Sequence, residues 1–340
     1  MVCKKLSVVA FGFVVGGLLA AAPASAEDVA DFYQGKTVRV MVPSSLGATL
    51  GLYGRLVVEH LGKHIPGKPT VIIESRPGGG GVTGAAFAYS AAPKDGTYIA
   101  EVLAPSVIAP LLRNAKFDAS KFQWLGSVTP RPAVISMWHT APVKTLDEAR
   151  KTQVVMGSTG LGSETYLVPT LMNEALGTKF KIVKGYKGGA ELNKALEQGE
   201  IQGRMQYWSG WTAGKPHWLK ERKLVHMVKY GGKIAELPNV PSLADLVTTQ
   251  EQKAMVAFIE TAPKVGMGFW VAPEVPKDRI QALRKAFMAM LNDPDFRADA
   301  KKRRAPVDPV SGETLQKVVA AAYATPKPTV AKLKNVLGFK

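Results

Sequence analysis

The sequence of 340 residues has a single cysteine, Cys3, so it offers neither a disulfide framework nor a thiolate metal site. After residue 26, no stretch approaches the roughly 20 consecutive apolar residues that a membrane-spanning helix needs. Acidic residues are few as well, with 27 Asp and Glu against 44 Lys and Arg, which gives a formal charge of +17. Hydrophobic residues still make up 46% of the chain, and this content excludes global disorder.

The positive charge fits three classes of partner: nucleic acid, an anionic surface, or a small acidic ligand. The N-terminus bears on this choice. Lys4 and Lys5 precede an apolar run over residues 6–22, and Ala24-Ser25-Ala26 provides a small-residue cleavage site. We therefore predict a signal peptide over residues 1–26, cleaved after Ala26, and export to the periplasm. An exported protein is not expected to bind nucleic acid.

Two parts of the mature chain alternate short strands with loops and helices, the pattern of doubly wound α/β sheets. The C-terminal part is mainly helical, with Ser311 as a predicted N-cap. Residues 104–131 show a looser pattern between the two parts. The predicted strands cover residues 37–42, 70–74, 98–103, 133–138, 154–156, 180–183 and 265–271.

Three loops share one design, because each leaves a predicted strand, consists mostly of small residues and opens a helix. They cover residues 43–49, 77–81 and 157–163. In an open parallel sheet such loops line the crevice where ligands bind, and helix starts offer free N–H groups to an anion. Tight turns are the competing interpretation of any one loop. The predicted ligand-binding residues are Ser44, Ser45, Gly47, Ala48, Thr49, Gly79, Gly80, Gly81, Ser158, Thr159, Gly162, Ser163, Tyr186 and Trp208.

Other chemistries find less support. The G-x-x-x-x-G-K-[ST] phosphate-binding loop and the nucleophile elbow are absent, and residues 78–84 lack the lysine that would reach a phosphate, so neither a nucleotide cofactor nor a catalytic residue is predicted. His60 and His64 have the spacing of two metal ligands on a helix, but Gly62 and Pro66 favour a helix end, and no metal is predicted. The basic run over residues 301–304 is interpreted as a solvated helix face. Arg131 and Arg204 are candidate reinforcements of the anion site.

Short motifs along nearly the whole mature chain resemble the solute-binding receptors of tripartite tricarboxylate transporters, often called Bug receptors. Each motif is unspecific alone, and their order carries the resemblance. They are YQGKTV at 33–38, RPGGG at 76–80, APKDGT at 92–97, PVKTL at 142–146, GSTG at 157–160, GYKGG at 185–189, LPNVPSL at 237–243 and VAP at 271–273.

The resemblance implies a two-lobe periplasmic-binding-protein fold of type II, each lobe a doubly wound, mainly parallel sheet, with the ligand cleft between the lobes. The first lobe would comprise residues 27–130 and 263–340, and the second lobe residues 131–262. The first two loops would hold a carboxylate, and the loop at 157–163 would close over it. The chain departs from the family pattern at Ser44, Ala48, Gly51 and Tyr166, which makes the expected pocket more hydroxylic and less acidic.

We therefore predict a non-enzymatic, monomeric periplasmic receptor for a small carboxylate-containing solute. Its further partners would be the membrane components of a tripartite tricarboxylate-type transporter. Three alternatives remain open: a secreted enzyme acting on organic acids, a subunit that presents its ligand to a sensor kinase, and a basic protein that binds anionic polymers or membranes. The sequence does not distinguish mono-, di- and tricarboxylates, aromatic acids and amino acids as ligands.

Overall fold

The computed structural model describes residues 29–339, so the predicted signal peptide and its cleavage site lie outside the described residues. The chain forms two α/β lobes, each built on one β-sheet. The strands are β1 (Thr37–Val42), β2 (Thr70–Ser75), β3 (Tyr98–Glu101), β4 (Gln123–Ser127), β5 (Ala133–Trp138), β6 (Val154–Ser158), β7 (Phe180–Lys184), β8 (Gly203–Tyr207), β9 (Leu224–Tyr230), β10 (Gly268–Val271) and β11 (Val310–Ser311).

Helices cover the faces of both sheets. They are α1 (Val29–Tyr33), α2 (Thr49–Leu61), α3 (Val82–Ser90), α4 (Ala109–Leu112), α5 (Leu146–Lys151), α6 (Glu164–Leu176), α7 (Gly189–Glu197), α8 (Trp208–Thr212), α9 (Pro216–Lys220), α10 (Leu243–Leu246), α11 (Gln250–Ile259), α12 (Thr261–Val265), α13 (Lys277–Asn292), α14 (Pro294–Lys302), α15 (Gly312–Tyr323) and α16 (Lys327–Leu337). Short 3-10 helices cover Gly62–His64, Gly79–Gly81, Ala104–Val107 and Ala119–Lys121. None of the helices between residues 29 and 339 is long and apolar enough to cross a membrane.

The first lobe contains a six-stranded sheet in the order β11-β4-β10-β3-β1-β2. One of its faces packs against a core that includes Leu56 of α2 and Phe287 of α13. The other face packs against a core that includes Phe122 and Trp270, whose rings stack with their centroids 3.5 Å apart. Burial on both faces explains the apolar runs at residues 40–42 in β1 and 71–73 in β2.

The second lobe contains a five-stranded sheet in the order β7-β6-β8-β5-β9. Leu171 and Met172 of α6 belong to the core on one side of it. Leu196 of α7 and Trp211 of α8 belong to the core on the other side. The two-lobe α/β fold predicted from the sequence is confirmed.

Both sheets are mixed, and the position of the hinge explains their antiparallel strands. The chain crosses between the lobes at residues 128–132 and again near residues 261–267, where the Arg131 N–H donates to the Pro263 carbonyl at 2.8 Å. β5 follows the first crossing and β10 follows the second. Each of these two strands therefore starts at the cleft, whereas its neighbours end there. For this reason β5 and β10 both run antiparallel to the strands on either side of them.

Local signals predicted many element bounds correctly. Helix α6 begins after its N-cap Ser163, whose side chain accepts the Thr165 N–H, and ends at the left-handed Gly177. Ser311 caps α15 in the predicted way. The strand predicted to start at residue 265 starts at Gly268 instead, because residues 261–265 form α12 and Gly266 (φ 58°) ends that helix.

The C-terminal helix α16 leaves the first lobe and packs against α6 and α11 of the second lobe. Leu333 and Leu337 are fully buried there, in the same core as Leu171. The lobe boundaries given above remain a prediction. The final helix of the segment 263–340, which was assigned to the first lobe, connects the two lobes.

Candidate functional site

A cavity of about 530 Å³ lies between the lobes, a volume within the range of small-molecule sites. Loops from both lobes and the hinge meet in it. The first lobe contributes Gly79, Gly80, Leu103, Pro105 and Arg113, and the first hinge crossing contributes Arg131. The second lobe contributes Thr159, Gly160, Leu161, Gly162, Ser163, Glu164, Thr165, Gly189, Arg204, Met205, Gln206 and Tyr207.

The glycine loop after β2 presents backbone rather than side chains to the cavity. Residues 78–81 all have positive φ, a conformation that glycine adopts without strain. Gly79 and Gly80 line the cavity, whereas Gly81 is buried. A Cβ atom at Gly81 would lie 2.6 Å from Leu103 Cβ, so this position has no room for a side chain. Arg113 donates to the Gly79 carbonyl at 3.1 Å and fixes the loop from the cavity side.

The hydroxyl loop after β6 is organised around Thr165 Oγ1. This atom accepts the Thr159 N–H at 3.0 Å and lies 2.8 Å from Ser163 Oγ and 3.2 Å from Ser158 Oγ. Ser158 is fully buried, and its hydroxyl accepts the Gly160 N–H at 3.1 Å. These hydroxyls therefore hold the loop in shape. Thr159, Gly162 and Ser163 line the cavity, and Ser158 supports them from behind.

Arg204 on β8 is the most buried charged residue of the cavity, at 2% exposure. Its Nη1 donates to the Gly189 carbonyl at 2.9 Å and to Asn193 Oδ1 at 2.7 Å, and its Nε donates to the Met205 carbonyl at 3.2 Å. All three acceptors are neutral. Burial without an acidic partner lowers the pKa of Arg204 to about 9.

Arg131 and Glu164 meet where the hinge joins the cavity. The Arg131 guanidinium lies 3.6 Å from the ring centroid of Tyr207, and the Tyr207 hydroxyl donates to Glu164. Burial raises the pKa of Glu164 to about 7, although the positive charge of Arg131 opposes the rise. Burial also lowers the pKa of Arg131. It raises the pKa of Glu101, a residue of the first lobe, although the positive charge of Arg131 opposes this rise. Buried ionisable groups therefore gather at the hinge.

A second cavity of about 550 Å³ lies along the hinge crossings, and Arg131 lines both cavities. Its wall includes Trp208, which the sequence predicted to contact a ligand, together with Tyr53 and Met267. The indole nitrogen of Trp208 is buried and has no hydrogen-bond partner among the described residues. Trp208 therefore lies beside the hinge and away from the cavity that the glycine loop lines.

The remaining predicted site residues line neither cavity. Ser44, Ser45, Gly47, Ala48 and Thr49 form the loop after β1 and the start of α2, where Ser75 Oγ donates to the Ser44 carbonyl at 2.9 Å. Tyr186 lies near the hydroxyl loop, but its own hydroxyl donates to Glu200 Oε1 at 2.6 Å. The structure thus brings together five of the predicted residues: Gly79, Gly80, Thr159, Gly162 and Ser163.

The histidine pair that resembled a metal site serves helix packing. His60 Nε2 lies 3.2 Å from Asp299 Oδ2, and His64 Nε2 lies 2.9 Å from Asp293 Oδ2, so both tie the end of α2 to α14 and its N-cap. Glu59, His60 and Asp299 do approach one another. Arg303, from the basic run, already pairs with both of these carboxylates, which makes the group an ion-pair network.

One serine–histidine contact raises the question of catalysis. Ser136 Oγ lies 2.9 Å from His226 Nδ1, between β5 and β9. Burial lowers the pKa of His226 to about 4, and neither residue lines an interlobe cavity. Within residues 29–339 no carboxylate is hydrogen-bonded to the His226 ring. The pair is part of the interior of the second sheet.

Four cavity residues gave no local sequence signal of their place: Glu164, Arg113, Gln206 and Tyr207. Glu164 is the first residue of α6, where an acidic side chain is also expected from the helix dipole, so its burial gave no local signal. Gln206 and Tyr207 end β8, a strand that was not predicted. A prediction of β8 would have placed them, with Arg204, at the cleft.

Comparisons with known proteins give a family match and several relatives. The family model described as "Tripartite tricarboxylate transporter family receptor" matches residues 54–333. A Cupriavidus necator protein named "UPF0065 protein in gbd 5'region" is 27% identical over 296 residues, which cover 84% of this chain and 83% of the relative.

Two solved structures share the fold. A solute-binding protein from Polaromonas, solved without ligand, superposes with a TM-score of 0.68 at 19% identity and covers 90% of this chain and 99% of its own. An R. palustris protein solved with adipate superposes with a TM-score of 0.61 at 20% identity and covers 88% of this chain and 97% of its own. The chain therefore shares the two-lobe fold of these two proteins.

Proposed function

Because the chain belongs to the tripartite tricarboxylate transporter receptor family, we propose that it captures a small carboxylate-containing solute in the cavity between its lobes. We place the protein in the periplasm as a monomer, exported by a signal peptide that is cleaved after Ala26. It would pass its ligand to the membrane components of a tripartite tricarboxylate-type transporter. The adipate in the R. palustris protein of the same fold is consistent with a carboxylate ligand.

The observation that carries the proposal is the composition of the interlobe cavity. Backbone from Gly79 and Gly80 faces the hydroxyl loop of the other lobe across a space of about 530 Å³. Arg113, Arg131 and Arg204 also line it, against the single carboxyl of Glu164. A cavity with three guanidinium groups and one carboxyl, whose pKa of about 7 keeps it partly protonated, favours an anion.

In the proposed mechanism, each lobe contributes part of the site and the ligand holds the lobes together. The glycine loop would offer N–H groups, and Thr159, Gly162 and Ser163 would close over the ligand from the second lobe. Micromolar binding requires about 8 kcal/mol. Charge-assisted hydrogen bonds contribute about 1.5–3 kcal/mol each, so four to six would suffice before the entropic cost of binding. Ligand contacts by the loop after β1, by Tyr186 and by Trp208 remain predictions from the sequence, because these residues lie outside this cavity.

An enzymatic role has less support, and we propose that the protein is not an enzyme. In the described part of the chain, the serine–histidine contact lies outside both cavities, and the cavity residues include no histidine. Product analysis after incubation with each acid would test this directly. A receptor would return every acid unchanged.

The site can be tested with a side chain that fills the cavity without disturbing the fold. A Cβ atom at Gly162 meets no heavy atom within 4 Å, and the backbone there does not require positive φ. We expect Gly162→Trp to fold normally and to lower acid affinity by at least about tenfold, because the indole occupies the ligand space. Isothermal titration against mono-, di- and tricarboxylates, aromatic acids and amino acids would measure this.

Gly47, which the sequence predicted to bind the ligand, offers a matched comparison between the loop after β1 and the cavity. It is equally unobstructed, also lacks positive φ, and lies in the loop that lines neither cavity. Gly47→Trp should leave affinity within about twofold of the unsubstituted protein. The cavity assignment fails if Gly162→Trp binds normally while Gly47→Trp does not, and the carboxylate proposal fails if none of the acids binds.

A further inference from the structure

We propose that Arg204 is the specificity-determining residue of the cleft and binds a second anionic group of the ligand, so that the receptor selects dianions over monoanions of the same length. This inference rests on the proposed function of the cavity. It adds the chemical class of the ligand and assigns the selection to one side chain of the second lobe.

Arg204 is a buried cation that has no anionic partner among the described residues. A guanidinium at 2% exposure is costly to bury unless a carboxylate or another anion compensates it. Among residues 29–339, no acidic side chain lies within ion-pair distance of Arg204, and its hydrogen bonds go to two carbonyls and one amide. The Trp211 ring, whose centroid lies 5.6 Å from the guanidinium, gives a weak cation–π contact, and no anion of the described residues compensates the charge of this buried group.

Helix α7 adds positive potential beside Arg204. Gly189, whose carbonyl accepts from Arg204, is the first residue of this nine-residue helix. The N-terminal end of a helix carries partial positive charge, which disfavours a nearby cation and favours an anion. Glu191, the acidic residue of the first turn, accepts the Lys187 N–H at 2.7 Å and leaves Arg204 unpaired. Helix and guanidinium thus add positive potential at the same place.

The guanidinium of Arg204 is held in one orientation. Nη1 and Nε of Arg204 are held by three hydrogen bonds, which fix the plane of the guanidinium. Nη2 makes no hydrogen bond in the described part of the chain, and Arg204 lines the cavity beside Gly189 and Gln206. A fixed guanidinium with a free N–H₂ group is suited to an anionic group with oxygen acceptors.

The position of Arg204 separates it from the anion site of the loops. It lies on β8 and contacts α7, whereas Gly79 and Gly80 lie in the loop after β2 of the other lobe. One anionic group held by the glycine loop and a second held by Arg204 would place a ligand with two charges across the cleft. A monoanion could satisfy only one of these positions.

The test compares acids that differ only in the second charge. Calorimetric titration of the purified protein with succinate and butyrate, and with adipate and hexanoate, gives the diacid preference at each length. We expect a preference of at least about tenfold for one diacid. Arg204→Gln should lower affinity for that diacid by roughly 10–100-fold and leave the monoacid affinity unchanged, as expected for one charge-assisted contact.

Thermal unfolding checks that the variants keep the fold. Removing the guanidinium relieves a buried charge but leaves the Gly189 and Met205 carbonyls and Asn193 Oδ1 without their donor, so the two effects oppose each other and Arg204→Gln should shift Tm by only roughly a few degrees. Arg204→Lys keeps the charge without the guanidinium and should retain part of the diacid preference. Arg222→Gln, an exposed change of equal charge in the same lobe, is the control and should change nothing.

The outcomes separate this inference from the proposed function. If Arg204→Gln binds the diacid as tightly as the unsubstituted protein, the role of Arg204 is wrong and the carboxylate receptor stands. A loss of monoacid affinity in Arg204→Gln as large as the loss of diacid affinity would assign Arg204 to structure and also overturn the inference. If the unsubstituted protein binds none of the four acids, the selection of dianions is wrong, and if it also binds no acid of the wider titration panel, the proposed function itself is contradicted.

Discussion

Glu164→Gln should change how stability depends on pH, because burial displaces the titration of this carboxyl. Glu164 is 4% exposed, and its pKa is raised from the ordinary 4.5 to about 7. Each pH unit of displacement corresponds to about 1.4 kcal/mol, so the whole rise is worth about 3 kcal/mol. This energy describes how much the fold prefers the protonated carboxyl.

The sign follows from proton binding. Between about pH 4.5 and pH 7 the native protein keeps the Glu164 proton, whereas the unfolded chain has lost it. The native state then binds more protons, and the free energy of unfolding falls as pH rises through this window. Glutamine has no such proton to lose, so the stability of Glu164→Gln relative to the unsubstituted protein should grow with pH. The difference should be near zero at pH 4.5 and about 3 kcal/mol at pH 8.

Urea unfolding, followed by far-UV circular dichroism at pH 4.5, 5.5, 6.5, 7.5 and 8.5, measures this difference. Glu174→Gln, a more exposed glutamate of the same helix, serves as the control and should follow the unsubstituted protein within about 0.5 kcal/mol at every pH. A difference for Glu164→Gln that stays constant, or that shrinks as pH rises, would refute the assignment of a protonated carboxyl at the cleft.

Three further measurements test the charge of the cavity, the cap of α15 and the packing of α16. At pH 8, Glu164→Gln should bind a diacid such as succinate roughly three- to tenfold more tightly than the unsubstituted protein in calorimetry, and equally at pH 5.5, because the ionised carboxyl repels an anion. Ser311→Ala removes the cap whose Oγ accepts the Thr314 N–H and should cost about 1 kcal/mol in urea unfolding. Leu333→Ala should cost about 2–5 kcal/mol, since this fully buried side chain joins α16 to the second lobe, whereas the exposed Asn335→Ala should cost less than about 0.5 kcal/mol.

Elements with local start and stop signals could be predicted from the sequence. Helix α6 is an example, because Ser163 and Gly177 mark its ends within the chain itself. β4 and β8 could not be predicted in this way, since each mixes glycine and polar residues with apolar ones. They are strands because they pair with distant segments, as Ser127 does with Gly268 and Arg204 with Ser136.

The same distinction applies to the site. The composition of the glycine and hydroxyl loops indicated where backbone would face a ligand, and Gly79, Gly80 and Gly162 do line the cavity. The environment of Arg204 depends on how β8 packs against α7, which no local pattern encodes. The loop after β1 has the same composition as the other two, but its place after the strand does not bring it to the cavity wall.

The most direct test of the central claim is the position of the bound ligand. The protein would be crystallised with whichever carboxylate binds most tightly in the titration panel. The account predicts ligand density between Gly79–Gly80 and Ser163, with a carboxylate oxygen within hydrogen-bond distance of the Arg204 guanidinium. Density in the other cavity, against Trp208 and Tyr53, would contradict it.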